Sequence, residues 1–480
     1  MPTIPRILSW ALVACAGGQP STSAESLVDA PPATSGGGAS VIVGQNRRDA
    51  GGSADSAPVN AGCPAPTRGP TPHPGSINTE TWRADESPHL LPSDATVYGA
   101  LTLEPCSEVL LGPGRTLTVR REGSVLAEGT PDAPIHIGAI QPGQPFATIR
   151  SFGGPLRLSH VTIDGGGDYG NTSQPYLSGT FNLQGMDQTQ PTQGTLFVDH
   201  VTLSGSASSG IVLRDGAGFA AGSDALTVTG STFFPVSSWA RALGTVPPGD
   251  YTGNGTDEIL VSSGTGAAQV SESITMYQRG VPYRIGHEDS LGELRVDAPI
   301  GSSSPVTLTI EPGVVLRFRR GGVMNVTFFT GDTPALGSLI AVGTPDEPIV
   351  FTSAEATPAA GDWLGVWFGL TPSALNRIAF ARFEYAGGDS VSQGAACNAP
   401  PLGLHNDAAV RIYGPPAGGQ FITNSVFANS AMHGIDRSWR SDEMPSFLPT
   451  NTFTNIARCT ETYPRDADGF CPDDPPCPTP

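Results

Sequence analysis

The sequence predicts an all-β solenoid, and three observations lead to this prediction. Short runs such as RLSHVTIDGGG, LFVDHVTLSGS and VTLTIEPGVVLRF alternate large apolar residues with polar or small ones. This period of two is typical of a strand with one buried face. Apolar residues show no convincing helical spacing, while Gly (61) and Pro (46) are abundant, as in chains with many turns. The order of the strand-like runs also repeats in the two halves of the chain.

The repeat divides the chain into two homologous modules, over 82–245 and 275–457, joined by a connecting loop over 246–274. The first half reads TLEPCSEVLLGPG, SVLAEGTPDAPIHI and RLSHVTIDGGG, and the second reads TIEPGVVLRF, SLIAVGTPDEPIVF and AFARFEYAGG. Stacked coils of about 20 to 25 residues would bury one apolar column per strand. A pair of β-sandwiches is the alternative. The solenoid is favoured because SHVTIDGG, DHVTLSGS, RFEYAGG and NSVFANS read as variants of one coil.

The most similar words in the two modules are GTPDAPI at Gly129–Ile135 and GTPDEPI at Gly343–Ile349. Neither copy has the Lys and Ser/Thr of a phosphate loop, and one Asp supplies too few oxygens for a calcium loop. We expect Gly129 and Gly343 to adopt a positive φ after a strand, and the prolines to fix a turn before the next strand. The heptapeptide is therefore predicted to be a structural turn.

The N-terminal residues 1–14 have the pattern of an export signal, a basic residue followed by a short apolar run and small residues. Leu12-Val13-Ala14-Cys15 resembles the lipobox of bacterial lipoproteins, which implies cleavage before Cys15 and lipid attachment to its sulfur. An ordinary secretory signal with an incidental cysteine is the alternative. Segment 15–81 is rich in Ala, Gly, Ser and Pro and has no aromatic residue, so it is predicted to be a disordered tether.

Six cysteines remain after Cys15, an even number that favours disulfides in an exported protein. The sequence leaves their pairing open; they are Cys63, Cys106, Cys397, Cys459, Cys471 and Cys477. The last two lie in a Cys/Pro/Asp-rich tail over 458–480. There, Asp466 and Asp468 resemble the start of a calcium loop, but the further ligands of that pattern are missing, so Ca²⁺ is only weakly supported. No other cofactor is expected, because the histidines are scattered in the sequence.

The coils, together with SLIAVGTPDEPIVFTS and the following GDWLGVWF, resemble the right-handed parallel β-helix repeat lipoproteins of bacterial surfaces. The resemblance covers about Trp82–Ala457. It implies a right-handed parallel β-helix of the pectate-lyase-like superfamily, exposed on the outer membrane or released from it. Pectate lyases, polygalacturonases, tailspikes and adhesins share this fold, so the fold does not fix the function.

The catalytic candidates are few and incomplete. Asp199 and His200 resemble the Asp-His strand of pectate lyases, but no basic motif completes a lyase site. Asp164 with Asp168, and Glu384, follow strands at comparable places in the two modules. Such carboxylates could hydrolyse a glycoside if they were suitably spaced. The motifs of polygalacturonases are absent, and an Asp beside Gly is more often a turn residue.

Aromatic residues in GDWLGVWFG are the candidate ligand contacts. Strict alternation would place Trp363 and Trp367 on one face and Phe368 on the other. Exposed indole rings stack on sugar faces, and this is the functional interpretation of the two tryptophans. The alternative is that both cover the core.

The charge balance and the absence of a complete catalytic set decide the functional prediction. Acidic residues (44) outnumber basic ones (25), and the net charge of −19 opposes nucleic-acid binding. We expect a non-enzymatic cell-surface protein, attached to the membrane through lipid on Cys15. Its expected roles are adhesion, envelope structure or polysaccharide binding, with polysaccharide or other surface proteins as partners. A polysaccharide lyase or glycoside hydrolase acting on the flank of the β-helix is the alternative.

Overall fold

The computed structural model describes residues 62–167, 170, 173–186, 192–262, 268–287, 292–299, 302–327, 329–330, 333–334, 336–370, 372–391, 396–397, 407–443, 445–471 and 477–479. Residues Pro58–Pro480 pack as one compact unit, so both predicted modules belong to one body. Within the described ranges, no helix has the length and apolar character needed to cross a bilayer. The predicted signal over 1–14 and the predicted lipid site at Cys15 lie outside the described residues.

Short strands make up most of the regular structure in the described chain. In chain order, the first are β1 (Thr71–Pro72), β2 (Gly75–Ile77), β3 (Glu80–Trp82), β4 (His89–Leu91), β5 (Ala95–Val97), β6 (Ala100–Leu103), β7 (Glu108–Leu111), β8 (Thr116–Val119), β9 (Ser124–Glu128), β10 (Ile135–Ala139), β11 (Thr148–Phe152), β12 (Leu156–Asp164) and β13 (Gly179–Gln184). They are followed by β14 (Gln193–Ser204), β15 (Ser209–Arg214), β16 (Ala217–Phe219), β17 (Asp224–Thr229), β18 (Val236–Ser238), β19 (Gly249–Asp250), β20 (Ile259–Val261), β21 (Ala268–Val270), β22 (Ile274–Met276), β23 (Tyr283–Ile285), β24 (Glu293–Val296), β25 (Val306–Ile310) and β26 (Val315–Phe318).

The remaining strands complete the second half. They are β27 (Val323–Val326), β28 (Phe329–Thr330), β29 (Thr333–Pro334), β30 (Gly337–Val342), β31 (Ile349–Ser353), β32 (Gly365–Phe368), β33 (Arg377–Ala379), β34 (Ala381–Glu384), β35 (Ala408–Ile412), β36 (Ile422–Thr423), β37 (Val426–Ser430), β38 (His433–Arg437) and β39 (Thr452–Ile456). Short 3-10 helices occur at Ala84–Glu86, Pro175–Leu177, Ala240–Thr245 and Leu448–Thr450.

These strands stack in parallel sheets, which confirms the predicted solenoid as a parallel β-helix. A 14-stranded sheet runs from β2 to β39, and strands that pair in it are separated by a circuit of the chain, as β2, β5 and β8 are. A 12-stranded sheet forms a second surface in the first half, and sheets of six and five strands follow in the second half. Among the described strands, only β28 and β29 pair in antiparallel fashion. The β-sandwich alternative is wrong, because sandwiches are built from antiparallel sheets.

The core lies inside the coils and is built from columns of identical or similar side chains. One column stacks phenylalanine rings from four successive coils at centroid spacings of 4.9 Å, and consists of Phe351, Phe383, Phe427 and Phe453. That spacing equals the separation of hydrogen-bonded strands, about 4.8 Å. Period-two alternation in sequence therefore becomes a continuous apolar column once the coils stack.

The two copies of the heptapeptide form the same turn, as predicted. The amide of Gly129 donates a hydrogen bond to Ser159 O at 2.8 Å, and that of Gly343 donates to Ala379 O at 2.9 Å. In both cases the acceptor lies on the next coil. The heptapeptide is thus a corner that joins one coil to its neighbour.

The expected positive φ of the two glycines is wrong, since neither glycine lies in the left-handed region. Glycine is required there for space instead. A Cβ on Gly129 would lie 2.7 Å from His160 O, and a Cβ on Gly343 would lie 2.7 Å from Phe380 O. The left-handed residues are His160 (φ 49°) and Phe380 (φ 50°), which turn the corner of the next coil. Their backbones approach the glycines too closely for any side chain.

The two modules do not present equivalent strands on the same surface. Strand β10, after the first heptapeptide, pairs with β7 and β12 in the 12-stranded sheet. Strand β31, after the second, pairs with β26 and β34 in the 14-stranded sheet. Homologous outward positions of the two modules therefore face different surroundings.

The predicted connecting loop over 246–274 also needs correction. It contains β19, β20 and β21, and β22 begins at Ile274. Strand β20 pairs with both β18 and β23, so the 14-stranded sheet continues across the boundary. The sequence misled because the segment is rich in Gly, Thr and Ser and its strands are only two or three residues long. Stacking on neighbouring coils, which sequence periodicity does not report, holds such strands in place.

The predicted tether extends too far, because residues 62–81 belong to the β-helix. Strands β1, β2 and β3 pair with β4, β5 and β6 respectively, and Ile77 is buried. Pro72 is tolerated because β1 is an edge strand. Composition alone misled at this point, since neighbouring coils supply the apolar surface that the segment lacks.

Candidate functional site

The outer surface of the 12-stranded sheet carries two parallel rows of polar side chains, which we call the double row. One row pairs in register across β12, β14 and β17 and consists of Thr162, Thr202 and Thr227. The second lies two positions further along the same strands and consists of Asp164, Ser204 and Thr229. The intervening residues are fully buried: Ile163, Leu203 and Val228. Strand alternation therefore directs both rows outward.

A histidine between two carboxylates adjoins the double row. His136 Nδ1 lies 3.2 Å from Glu108 Oε1, and its Nε2 lies 3.1 Å from Asp164 Oδ2. Strand β10 places His136 in register with Glu108 on β7 and with Thr162 on β12. Hydrogen bonds that the ring donates to Asp164 and then to Glu108 raise the pKa of His136 from its ordinary 6.5 to about 9. At neutral pH the array is thus an imidazolium held by two carboxylates.

A second cluster lies at the bend in the middle of β12 and β14, on the N-terminal side of the double row. His160 and His200 both adopt left-handed backbone conformations, and their rings stack with centroids 4.8 Å apart. Asp199 Oδ1 lies 2.7 Å from His200 Nδ1, and Asp199 Oδ2 accepts from Ser159 Oγ at 3.2 Å. The hydrogen bond with His200 holds the pKa of Asp199 below its ordinary value of 3.8.

The described candidate carboxylates, Asp164 and Glu384, lack the surroundings of a glycosidase acid. His136 lowers the pKa of Asp164. The predicted partner, Asp168, lies outside the described residues. Glu384 Oε1 lies 2.6 Å from Arg382 Nη2 on the same strand. A glycosidase acid needs a raised pKa. Asp164 has the opposite shift, and Glu384 forms an ion pair with Arg382.

The two tryptophans do not share a surface, so strict alternation across GDWLGVWFG was wrong. Trp363 is fully buried, stacks on Phe318 with centroids 4.3 Å apart and donates from Nε1 to Glu384 O at 2.8 Å. It covers the core, as the alternative interpretation held. Trp367 is partly exposed on β32, while Gly365, with φ at 126°, changes the phase of alternation between them. Trp367 lies beside the side chain of Arg411, whose guanidinium carbon is 5.5 Å from its ring centroid.

Arg411 belongs to a buried ionic cluster that sequence reasoning missed. Arg411 on β35 and Asp436 on β38 are 0% exposed, and Arg411 Nε lies 3.0 Å from Asp436 Oδ2. The two residues pair in register. Burial raises the pKa of Asp436, while Arg411 acts to lower it. Opposite charges at matching positions of two strands, Arg411 in AAVRI and Asp436 in HGIDR, were the available signal.

His433 lies at the start of β38, beside this cluster. It is 1% exposed, and its Nδ1 accepts a hydrogen bond from Cys459 N at 3.2 Å. An accepting Nδ1 requires the unprotonated nitrogen, so this contact fits a neutral ring. Burial first, then Arg458, lowers its pKa to about 4. His433 is therefore neutral at physiological pH.

The six described cysteines form three disulfides, which settles the open pairing. The bonds join Cys63 to Cys106, Cys397 to Cys471 and Cys459 to Cys477. The Cys397–Cys471 bond thus ties the tail to the β-helix, while the Cys459–Cys477 bond closes a loop within the tail. Glu461 within it is buried and lies 3.5 Å from Arg437 Nη2, and it forms a parallel bridge with Ile435 of β38.

The predicted calcium ligands of the tail are part of a turn. Asp466 Oδ1 accepts a hydrogen bond from Phe470 N at 2.7 Å, and Asp466 N donates to Phe470 O at 2.9 Å. Asp468 lies at the exposed tip of this turn. Among the described residues, these two aspartates are not in a group of three close metal-ligating side chains.

Surface cavities offer little for carboxylate catalysis. Four of them, with volumes of about 310, 430, 70 and 450 Å³, are lined by residues of successive coils. Their described linings include one carboxylate, that of Glu272, which lies 3.6 Å from Arg241 Nε. None of these four cavities therefore holds the two carboxylates that glycoside hydrolysis requires.

Comparisons with known proteins add no relative: no family model, curated protein or solved structure matches this chain. Functional inference therefore rests on the residues and their geometry.

Proposed function

We propose that this chain is a non-enzymatic, lipid-anchored cell-surface protein that binds polysaccharide along the outside of its β-helix. The observation that carries the proposal is the double row. Five hydroxyl groups and the carboxylate of Asp164 follow one another there at the strand separation of about 4.8 Å and form a strip of donors and acceptors. An extended polymer lying along the helix axis would meet a threonine hydroxyl at each of three successive coils.

The charge of the protein narrows the polymer class. A net charge of −19 disfavours a polyanionic polymer, since the protein and polymer would repel each other at low ionic strength. Asp164 adds a local negative charge, partly offset by His136. A neutral or amine-bearing polysaccharide fits this surface best.

The alternative, a polysaccharide lyase or hydrolase, has weaker support. The described candidate carboxylates are each paired with a neighbouring cation or histidine on an open sheet surface or corner. Hydrogen bonds with His136 and His200 lower the pKa values of Asp164 and Asp199 respectively, whereas the acid of a glycosidase must hold a proton near neutral pH. Binding without cleavage is the function that this geometry favours.

Affinity electrophoresis against a panel of neutral, amine-bearing and acidic polysaccharides tests the proposal. We expect retardation by at least one neutral or amine-bearing polymer, and loss of retardation in the double variant Thr162→Val, Thr202→Val. The matched control is Thr96→Val, Thr118→Val, which removes hydroxyls from adjacent positions on the 14-stranded sheet. If the double-row variant is retarded as strongly as the control variant, the double row is not the binding surface. If no polymer retards the unaltered protein, the proposal is overturned.

The lipid anchor has a separate test. Replacing Cys15 with Ser should abolish incorporation of labelled fatty acid and move the protein from the membrane fraction to the soluble one. Unchanged fractionation would contradict anchoring, while leaving the polysaccharide proposal open to its own test.

A further inference from the structure

We propose that His160, Asp199 and His200 form a binding site for one divalent transition-metal ion of the Zn²⁺ type. One ligand atom from each of the three side chains lies within 4.8 Å of the other two. Among the described residues, this is the only group of three or more His, Cys, Asp or Glu side chains placed in that way. Two imidazoles and a carboxylate are ligands that Zn²⁺ accepts readily.

The fold brings these residues together from successive coils. Strands β12 and β14 pair in register on both sides of the corner, with Ser159 opposite Asp199 and Val161 opposite Val201. The left-handed backbone at His160 and His200 therefore occurs at the same corner of each coil. Sequence inspection for closely spaced histidines misses such a pair, because stacking supplies the proximity.

The geometry needs only a small contraction to bind an ion. Zinc–nitrogen bonds of 2.0–2.1 Å in a tetrahedral site set the ligand atoms about 3.4 Å apart. The present group spans up to 4.8 Å, so side-chain rotations must close the difference. The side chains of Asp199 and His200 are 38% and 63% exposed, which leaves both free to rotate into solvent.

The electrostatic surroundings favour a cation. Glu128, Ser159, Asp199 and Asp224 pair in register across four strands, which places three carboxylates in one row. Arg157 lies 2.7 Å from Glu128 at one end of the row. Asp199 Oδ1 also lies 2.7 Å from His200 Nδ1, so one proposed ligand carboxylate is already in contact with a proposed ligand imidazole. A dipositive ion placed among these groups would face net negative charge.

Isothermal titration of the purified protein with ZnCl₂ tests the site. We expect one Zn²⁺ per chain, and affinity that falls at least about tenfold in His160→Ala and in His200→Ala, because each variant removes a ligand. Asp199→Asn should weaken binding as well. His136→Ala is the matched control: it removes a partly exposed histidine held between carboxylates on the same sheet, and binding should not change.

Thermal unfolding of each variant confirms that it is folded before titration. Absence of zinc binding by the unaltered protein would overturn the proposal. So would wild-type affinity in the double variant His160→Ala, His200→Ala, or loss of binding in His136→Ala. The proposal is independent of polysaccharide binding, since the probe is the metal ion alone.

Discussion

Two histidines, His136 in the first half and His433 in the second, occupy opposite electrostatic surroundings on the same kind of scaffold. His136 lies on the outer surface between Glu108 and Asp164, and its pKa is raised to about 9. His433 is enclosed near Arg411 and Arg458, and its pKa is lowered to about 4. The first is stabilised as a cation and the second as a neutral ring.

The difference shows that solvent exposure determines the role of charged side chains on the outer side of the coils. The Glu108–His136–Asp164 array faces solvent, where ion pairs add little to stability and remain accessible. Arg411 and Asp436 are completely buried. Removal of either charge would therefore leave the other buried without its partner. Open outer surfaces are therefore where binding is to be sought, and the covered cluster is structural.

The largest expected effect is that of breaking the covered pair. Arg411→Ala should lower the free energy of unfolding by about 3–5 kcal/mol, because it leaves Asp436 buried without its cation. Arg382→Ala is the matched exposed control, with an expected loss of at most about 1 kcal/mol. Urea unfolding followed by circular dichroism measures both.

The variant Arg411→Met, Asp436→Leu extends this test. Removing both charges together should cost less than Arg411→Ala alone, since Asp436 is then no longer buried without its cation. Asp407, which lies 4.0 Å from Arg411 Nη1, loses this contact equally in both variants. If the double variant is less stable than Arg411→Ala, the cost of the single variant does not come from an unpaired charge on Asp436, and the account of the cluster is wrong.

The second prediction concerns acid. His433 has a folded-state pKa of about 4, below its ordinary 6.5, so its contribution to stability is present above pH 6.5 and lost as pH falls towards 4. Between those values the protein should lose roughly 3 kcal/mol through this residue. His433→Asn, which keeps an acceptor for Cys459 N, should lose that much less than the unaltered protein. If the unaltered protein and His433→Asn lose the same free energy of unfolding between pH 6.5 and pH 4, His433 is not the residue responsible for that loss.

The third prediction has the opposite sign and is smaller. His136 has a folded-state pKa of about 9, above 6.5, so its stabilisation is complete below pH 6.5 and disappears as pH rises through 9. His136→Ala should cost about 1 kcal/mol at pH 6 and little at pH 10, because the ion pairs face solvent. A cost that is equal at both pH values would point to packing rather than charge.

The sequence predicted the repeating fold and its turns better than the contents of its surfaces. Alternation around Ile163 and Leu203 reports burial directly, and duplication of GTPDAPI locates a corner of each module. Contacts between coils have no local signature. His160 approaches His200, and Arg411 approaches Asp436, because each pair occupies equivalent positions of adjacent coils. Which residues are equivalent depends on the number of residues in each coil.

The errors have the same origin. Residues 62–81 appeared disordered and 246–274 appeared to be a loop, because both lack the composition of independent strands. Each is held by pairing with a neighbouring coil. Trp363 and Trp367 were assigned to the same face because strict alternation was carried through the turn before β32, which begins at Gly365.

The most direct test of the central claim, binding without cleavage, is a turnover assay on the polysaccharide panel for reducing ends and unsaturated products. We predict no product above background from the unaltered protein, and the same result from Asp164→Asn, Asp199→Asn and Glu384→Gln. Product formed by the unaltered protein and lost in one of these three variants would contradict the account and identify that carboxylate as catalytic.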